Sequence, residues 1–202
     1  MKEIEIKKVL IESLINGVDS IISSEFRFDF GTRRADVICM EQGNLIAFEI
    51  KGAGDNTDRL ESQIESYKKY FDFCFIVCEK VNLPNIRRIT PKSIGILVVN
   101  NDGVTKVRAA KLIKKQDKAT LASTIDVRFL RKIVSNKKAR SKHDLCEVLS
   151  TEKTLDQVRD ISRKDLLLKI TEPYKAFLNE LGKKIHSDDI LILTRMPSRE
   201  LI

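Results

Sequence analysis

Three charged side chains set into apolar runs hold the chemical content of this chain. Asp36 lies in Arg33-Arg34-Ala35-Asp36-Val37-Ile38, and after an interval of 12 residues Glu49 and Lys51 interrupt Leu45-Ile46-Ala47-Phe48-Glu49-Ile50-Lys51. Both runs have the β-branched, apolar character of strands, and Glu41-Gln42-Gly43-Asn44 supplies turn residues between them, so a β-hairpin is expected. Side chains alternate along a strand, which points Glu49 and Lys51 the same way, and pairing brings Asp36 beside them. Two close carboxylates repel unless a cation lies between them. Ligation by Asp36, Glu49 and the backbone carbonyl of Ile50 suits Mg2+ or Mn2+. The Lys51 ammonium is then placed to orient or help deprotonate an attacking water, or to offset charge growing on a phosphate. Those are the parts of phosphodiester hydrolysis. The plainer alternative is a structural ion pair of Lys51 with Glu49 or Asp36, although a charged pair on a buried strand usually needs a further partner or a metal.

The elements that must position these groups continue the pattern. Gly52-Ala53-Gly54 lets the backbone turn away from Lys51, Asn56 or Thr57 can cap the next helix, and Arg59, Gln63 and Tyr67 recur on one helical face up to about Phe71. Asp36, then Glu49-x-Lys51, then Gln63-x-x-x-Tyr67 resembles the PD-(D/E)xK nuclease superfamily. The run from Arg34 to Phe71 is similar to a poorly characterised bacterial and phage group within it. Ala35 stands where the superfamily's nominal proline would be. The resemblance implies a restriction-endonuclease-like fold, a three-layer α/β core of order αβββαβ, and metal-dependent hydrolysis with DNA as the expected substrate. It also implies an upstream acid, for which Glu5 and Glu12 in the first helix and Glu25 in the first strand are candidates. Glu25 is preferred by resemblance, and Gln63 is implied to support the site or the nucleic acid.

Charge is unevenly distributed. The net charge is +8, yet residues 1–101 carry 14 Lys and Arg against 15 Asp and Glu, while residues 102–202 carry 23 against 14. A near-neutral catalytic half joined to a basic half suggests phosphate-backbone contacts from the second part, with a solvated, solubilising helix face as the alternative. Its densest cluster includes Arg128, Arg131, Lys132, Lys137, Lys138, Arg140 and Lys142. Arg34, Arg59 and Tyr67 are further candidates for substrate contact. Aromatic content of 6% without Trp gives little sign of a base-stacking platform.

Apolar periodicity predicts a helix over 2–16, a strand over 20–30, the hairpin, buried strands at 73–78 and 94–99, and an edge strand within 104–112. Beyond Thr120 it predicts helices from Ile125, over 142–149 and over 173–181, with mixed signals over 154–168 and a frayed end from Pro197. The expected organisation is therefore a nuclease-like core at 1–115 and an appended, mainly α-helical basic region at 116–202 that binds nucleic acid or a partner. No apolar run reaches the roughly 20 residues that span a bilayer, and the N-terminus lacks a signal-peptide pattern, so a cytoplasmic protein without membrane contact is expected. The four cysteines lie in apolar or helical patterns and read as buried thiols, and His143 and His186 as surface residues. Two rivals stay open: a catalytically silent module of this fold binding nucleic acid or a protein partner, and an RNA-directed nuclease. A two-fold homodimer would be the simplest route to cutting both strands of a duplex.

Overall fold

The computed structural model of this chain describes residues 1–17, 19–52, 54–136 and 138–196, so the expectations for Lys137 and for the end from Pro197 lie outside the described residues. The chain begins with α1 (Glu3–Ile15), whose buried Ile6, Lys7, Leu10 and Ile11 form one face. Strands β1 (Ser20–Phe28), β2 (Arg33–Glu41) and β3 (Asn44–Lys51) follow, then α2 (Leu60–Lys68), β4 (Phe73–Cys78), α3 (Leu83–Ile89), β5 (Gly95–Asn100) and β6 (Gly103–Arg108). The remaining helices are α4 (Lys118–Ala122), α5 (Val127–Ile133), α6 (Lys142–Glu152), α7 (Leu155–Glu180) and α8 (Ser187–Ile192).

The six strands lie in chain order in one mixed sheet, antiparallel from β1 to β3, parallel from β3 to β5, and antiparallel again at β6. The β2–β3 turn fixes the register of the hairpin. Gln42 and Gly43 both have positive φ (48° and 78°), the conformation of a tight two-residue turn, and Glu41 pairs with Asn44. Where β4 meets β5, Gly95 sits under the Phe75 ring, and a Cβ there would lie 2.2 Å from it.

Helices cover both faces, giving three layers. On one face Ile38, Ala47 and Ile76 pack with Leu60, Ile64 and Tyr67 of α2 and with Leu121, Leu130, Leu145 and Leu166 of α4 to α7. On the other, Val37, Phe48, Ile50 and Val77 pack with α1, with Tyr174 and Phe177 near the end of α7, and with α8. The helices after residue 116 thus share their cores with the sheet.

Several elements differ from expectation for physical reasons. The region of mixed signals at 154–168 and the helix expected at 173–181 are one helix of 26 residues, α7. Its buried stripe includes Ser162, Arg163 and Asp165, which dilutes the apolar period. Pro173 lacks the N–H that would bond the carbonyl one turn back, a loss of about 3 kcal/mol, and burial of Tyr174 and Phe177 beyond it offsets that loss. The helix begun by Asn56 or Thr57 starts at Leu60 instead, because the Asn56 side chain accepts from Asp58 N at 2.7 Å and closes its own turn. No helix among the described residues is long and apolar enough to cross a membrane.

A buried polar knot ties α7 to the sheet. Asp72 accepts from Leu45 N at 2.8 Å and Gln116 Nε2 at 2.7 Å, and pairs with Arg163 Nη2 at 3.3 Å. The guanidinium lies 4.9 Å over the Tyr70 ring. Removing one partner strands the other as a buried charge. Asp72→Ala is therefore expected to cost roughly 3–5 kcal/mol of unfolding free energy in a urea titration; a loss within the range of an ordinary surface substitution would contradict this role.

Candidate functional site

The site is assembled where β2 and β3 part company. Val37 pairs with Phe48, but one residue further the Asp36 carboxylate, rather than a backbone carbonyl, accepts from Ile50 N at 2.8 Å. Glu49 and Lys51 share the face of β3 that meets α2. There Lys51 Nζ donates to Glu49 Oε1 at 2.9 Å and to Gln63 Oε1 at 3.2 Å. The Gln63 amide also donates to Glu49 Oε1, and the Tyr67 hydroxyl donates to Glu49 Oε2. Glu49 and Lys51 side chains are only 4% and 10% exposed. One buried carboxylate is thus held by three donors from a strand and a helix, and Gln63 and Tyr67 sit one helical turn apart to reach it. Burial and the Glu49 charge push the Tyr67 hydroxyl well above its usual pKa, keeping it a donor.

Asp36 has the opposite environment. Burial first, and then the charge of Glu49, raise its pKa from 3.8 to about 7, against the pull of Ile50 N–H and Lys7. A proton, or another cation, is what this acid lacks.

On the side toward α1 stands a second group. Glu25 has a positive φ of 56°, and Ser24↔Val37 and Phe26↔Ala35 are paired on either side of it. A non-glycine residue held there costs roughly 1–3 kcal/mol. Its carboxylate pairs with the buried Lys7 ammonium and with Arg34 Nε at 2.7 Å, and Lys7 also meets Glu3 at 3.4 Å. One oxygen from each of Glu3, Glu25 and Asp36 lies within 4.8 Å of the others, and this is the acid grouping of metal-binding size among the described residues. Glu49 faces its own donors instead.

The structure therefore brings Asp36, Glu49, Lys51, Gln63, Tyr67, Arg34 and Glu25 into one neighbourhood. Glu5 and Glu12 stay out of it: the Glu5 carboxylate caps α1 by accepting from Lys2 N at 2.6 Å, and Glu12 is exposed near Leu181. The upstream helix contributes Glu3 and Lys7, which sequence reasoning missed. A signal was available, because Lys7 falls on the Ile6, Leu10, Ile11 face, where an unpaired charge needs a partner. Arg59 precedes α2 and is exposed. Arg131, Lys132, Lys138 and Arg140 are exposed on α5 and the segment leading to α6, and Arg131 and Arg140 line a cleft with Val134, Asn136 and Leu145. All four cysteines are buried free thiols, and burial pushes Cys78 and Cys146 up to about 11. His143 and His186 are exposed.

Mixed sheet, flanking helices and a buried Asp, Glu and Lys site at a hairpin define an α/β protein with a built polar centre. The sequence profile of the bacteriophage P4 protein cII family matches residues 1–194, and the chain belongs to that family. Protein cII of Enterobacteria phage P4 is 26% identical over 220 residues, an alignment covering 98% of this chain and 80% of that protein. Among solved structures, SPO1766, a protein of unknown function from Silicibacter pomeroyi, aligns over 59% of this chain and 79% of its own, with 16% identity and a TM-score of 0.45.

The raised pKa of Asp36 has a definite pH signature. Below pH 3.8 the group is protonated whether folded or unfolded; as pH rises toward 7, the unfolded chain ionises it first, and stability is lost. Asp36→Asn should unfold at higher urea than wild type at pH 8 in EDTA, with the advantage vanishing near pH 4. A variant no more stable than wild type at pH 8 would show that Asp36 ionises there without strain.

Proposed function

We propose that the chain is a divalent-cation-dependent nuclease of the PD-(D/E)xK type, built on a restriction-endonuclease-like core. One observation carries this reading: a buried Glu49 fixed by Lys51, Gln63 and Tyr67 beside an Asp36 that burial and that same Glu49 leave short of a positive charge. The donor set would suit Mg2+ or Mn2+, since the Asp36 and Glu49 carboxylates and the Ile50 carbonyl are all hard oxygens, and the Glu3 and Glu25 carboxylates, which come within 4.8 Å of Asp36, add two more on the α1 side. Such an ion supplies Lewis acidity toward the phosphate and an attacking water at neutral pH.

The chain's own groups do the rest. Lys51 holds Glu49 and presents its ammonium to the water and to the charge that grows on the phosphate. Gln63 and Tyr67 keep the Glu49 carboxylate from rotating away. Arg34, half-exposed beside Glu25, can turn its guanidinium to a non-bridging phosphate oxygen while Lys7 keeps Glu25 paired. Arg131, Lys132, Lys138 and Arg140 supply further backbone contacts, with DNA as the first substrate to test and RNA served by the same chemistry. A second reading, a silent module that binds nucleic acid or a protein partner, is favoured by the occupation of Glu25 by two side-chain cations.

Incubation with single- and double-stranded DNA and with RNA, in Mg2+, Mn2+ or EDTA, separates the readings. Metal-dependent cleavage is expected, reduced by at least roughly 100-fold in Asp36→Ala and in Lys51→Ala. Cleavage at the wild-type rate by both purified variants would remove the assignment.

A further inference from the structure

The turn between β1 and β2 carries groups that the proposed hydrolysis does not use. Asp29, Phe30 and Gly31 all have positive φ (50°, 55° and 82°), and Thr32 fastens the turn by donating to Asp29 O from its backbone N at 3.0 Å and its hydroxyl at 2.7 Å. Left-handed backbone is costly for a bulky aromatic residue, and such strain gathers at functional sites. Phe30 gains little burial in return, being 39% exposed. Its ring lies against the exposed His143 imidazole, with centroids 5.2 Å apart and planes 32° from parallel.

Phe30 stands at a cleft of about 470 Å³ between the turn and α4, α6 and α7. Arg27, Lys142 and Lys169 line it, with the hydroxyl-bearing Ser123 and Thr124. Lys169 pairs with Asp165 at 2.6 Å and donates to Thr124 O at 2.6 Å, whereas Arg27 reaches the Gly31 carbonyl at 3.4 Å. Lys142 makes no hydrogen bond or ion pair among the described residues, although it is half-buried beside Lys169. Asp126, the other nearby acid, caps α5 through Arg128 N at 2.8 Å. Three cations against two carboxylates, both already engaged, leave the cleft with an excess of positive charge, and an exposed aromatic at its mouth offers a face that any base can stack on. The turn is close to the hairpin site: Arg33 to Asp36 is three steps of β2, about 10 Å at ~3.3 Å per residue.

We propose that this cleft holds the nucleic-acid strand beside the cleavage site, with a phosphate seated among Arg27, Lys142 and Lys169 and the adjoining, unpaired base stacked on Phe30. The inference rests on the nuclease reading for the identity of its ligand, and within that reading it selects a strand whose bases are open, a single strand or a frayed end. A base paired inside a duplex has both faces occupied by its neighbours.

The test is fluorescence anisotropy with a labelled single strand of roughly 20 nucleotides and the same sequence as a blunt duplex, titrated across salt in EDTA. Wild type, Lys142→Gln and Phe30→Gly are compared, with thermal midpoints recorded and wild-type cleavage assayed separately. Lys142→Gln should weaken single-strand binding and flatten the log–log salt slope by about 0.7. Phe30→Gly should weaken it by roughly 5- to 100-fold, and its thermal midpoint should not fall, since glycine adopts this turn freely. The duplex should bind more weakly than the single strand and respond less to Phe30→Gly. Unchanged single-strand affinity in both variants, with a wild type that cleaves, overturns the cleft and leaves the nuclease reading standing. Weakened variants with a wild type that cuts nothing support the cleft and remove the nuclease reading. Equal weakening on duplex and single strand overturns the stacking, and a wild type that binds neither removes both proposals.

Discussion

The arrangement at the hairpin depends on one buried carboxylate. Glu49 is taken out of water by the sheet and α2, and it is tolerable there because Lys51, Gln63 and Tyr67 all donate to it. That requirement fixes the rest. α2 must run close enough to β3 for Gln63 and Tyr67 to reach, and the Tyr67 ring then packs edge-on against Phe28 of β1 at 5.6 Å. β2 must bend so that Asp36 meets the backbone of Ile50 rather than the same donors. With the donors spent on Glu49, Asp36 is left buried beside a fixed negative charge, and burial first, then that charge, raises its pKa.

The protein places its internal cations with some economy. Lys7 and Arg34 serve Glu25, Lys51 serves Glu49, and Arg163 serves Asp72 at the far end of the same strand pair. Asp36 is the acid in the hairpin neighbourhood whose carboxylate accepts from a backbone amide, with Lys7 acting on it through charge. Keeping Asp36 ionised there costs stability, as is common where a fold holds a group ready for a ligand.

The hairpin was legible because a period of two and a turn-forming pair are local signals, and so was the neighbourhood of Asp36, Glu49, Lys51, Gln63 and Tyr67, since strand alternation and helical spacing dictate which of those side chains can meet. The opening helix, the three strands, α2 and β4 followed from the same patterns, α3 between β4 and β5 did not, and the observed architecture is α/β with a mixed six-stranded sheet. What stayed hidden was non-local. Glu3 and Lys7 look like ordinary helix-surface charges until α1 is laid across the sheet. Glu25 and Phe30 take left-handed backbone that no residue type announced, and aromatic content could not reveal that one phenylalanine in nine would be left outside, at the rim of a basic cleft. The long helix α7 escaped notice because its buried face carries Arg163 and Asp165, which meet the Tyr70 carbonyl and the Asp126 amide of distant segments.

The central claim is that Asp36 and Glu49 form a site awaiting a divalent cation. Isothermal titration of the protein with Mn2+ near pH 7, repeated in buffers of different ionisation enthalpy, tests it most directly. The account predicts binding of one ion with release of up to about one proton, as the cation displaces the proton that burial and Glu49 keep on Asp36, and loss of both signals in Asp36→Asn. Binding with no proton release that survives Asp36→Asn, or no binding at all, would contradict it.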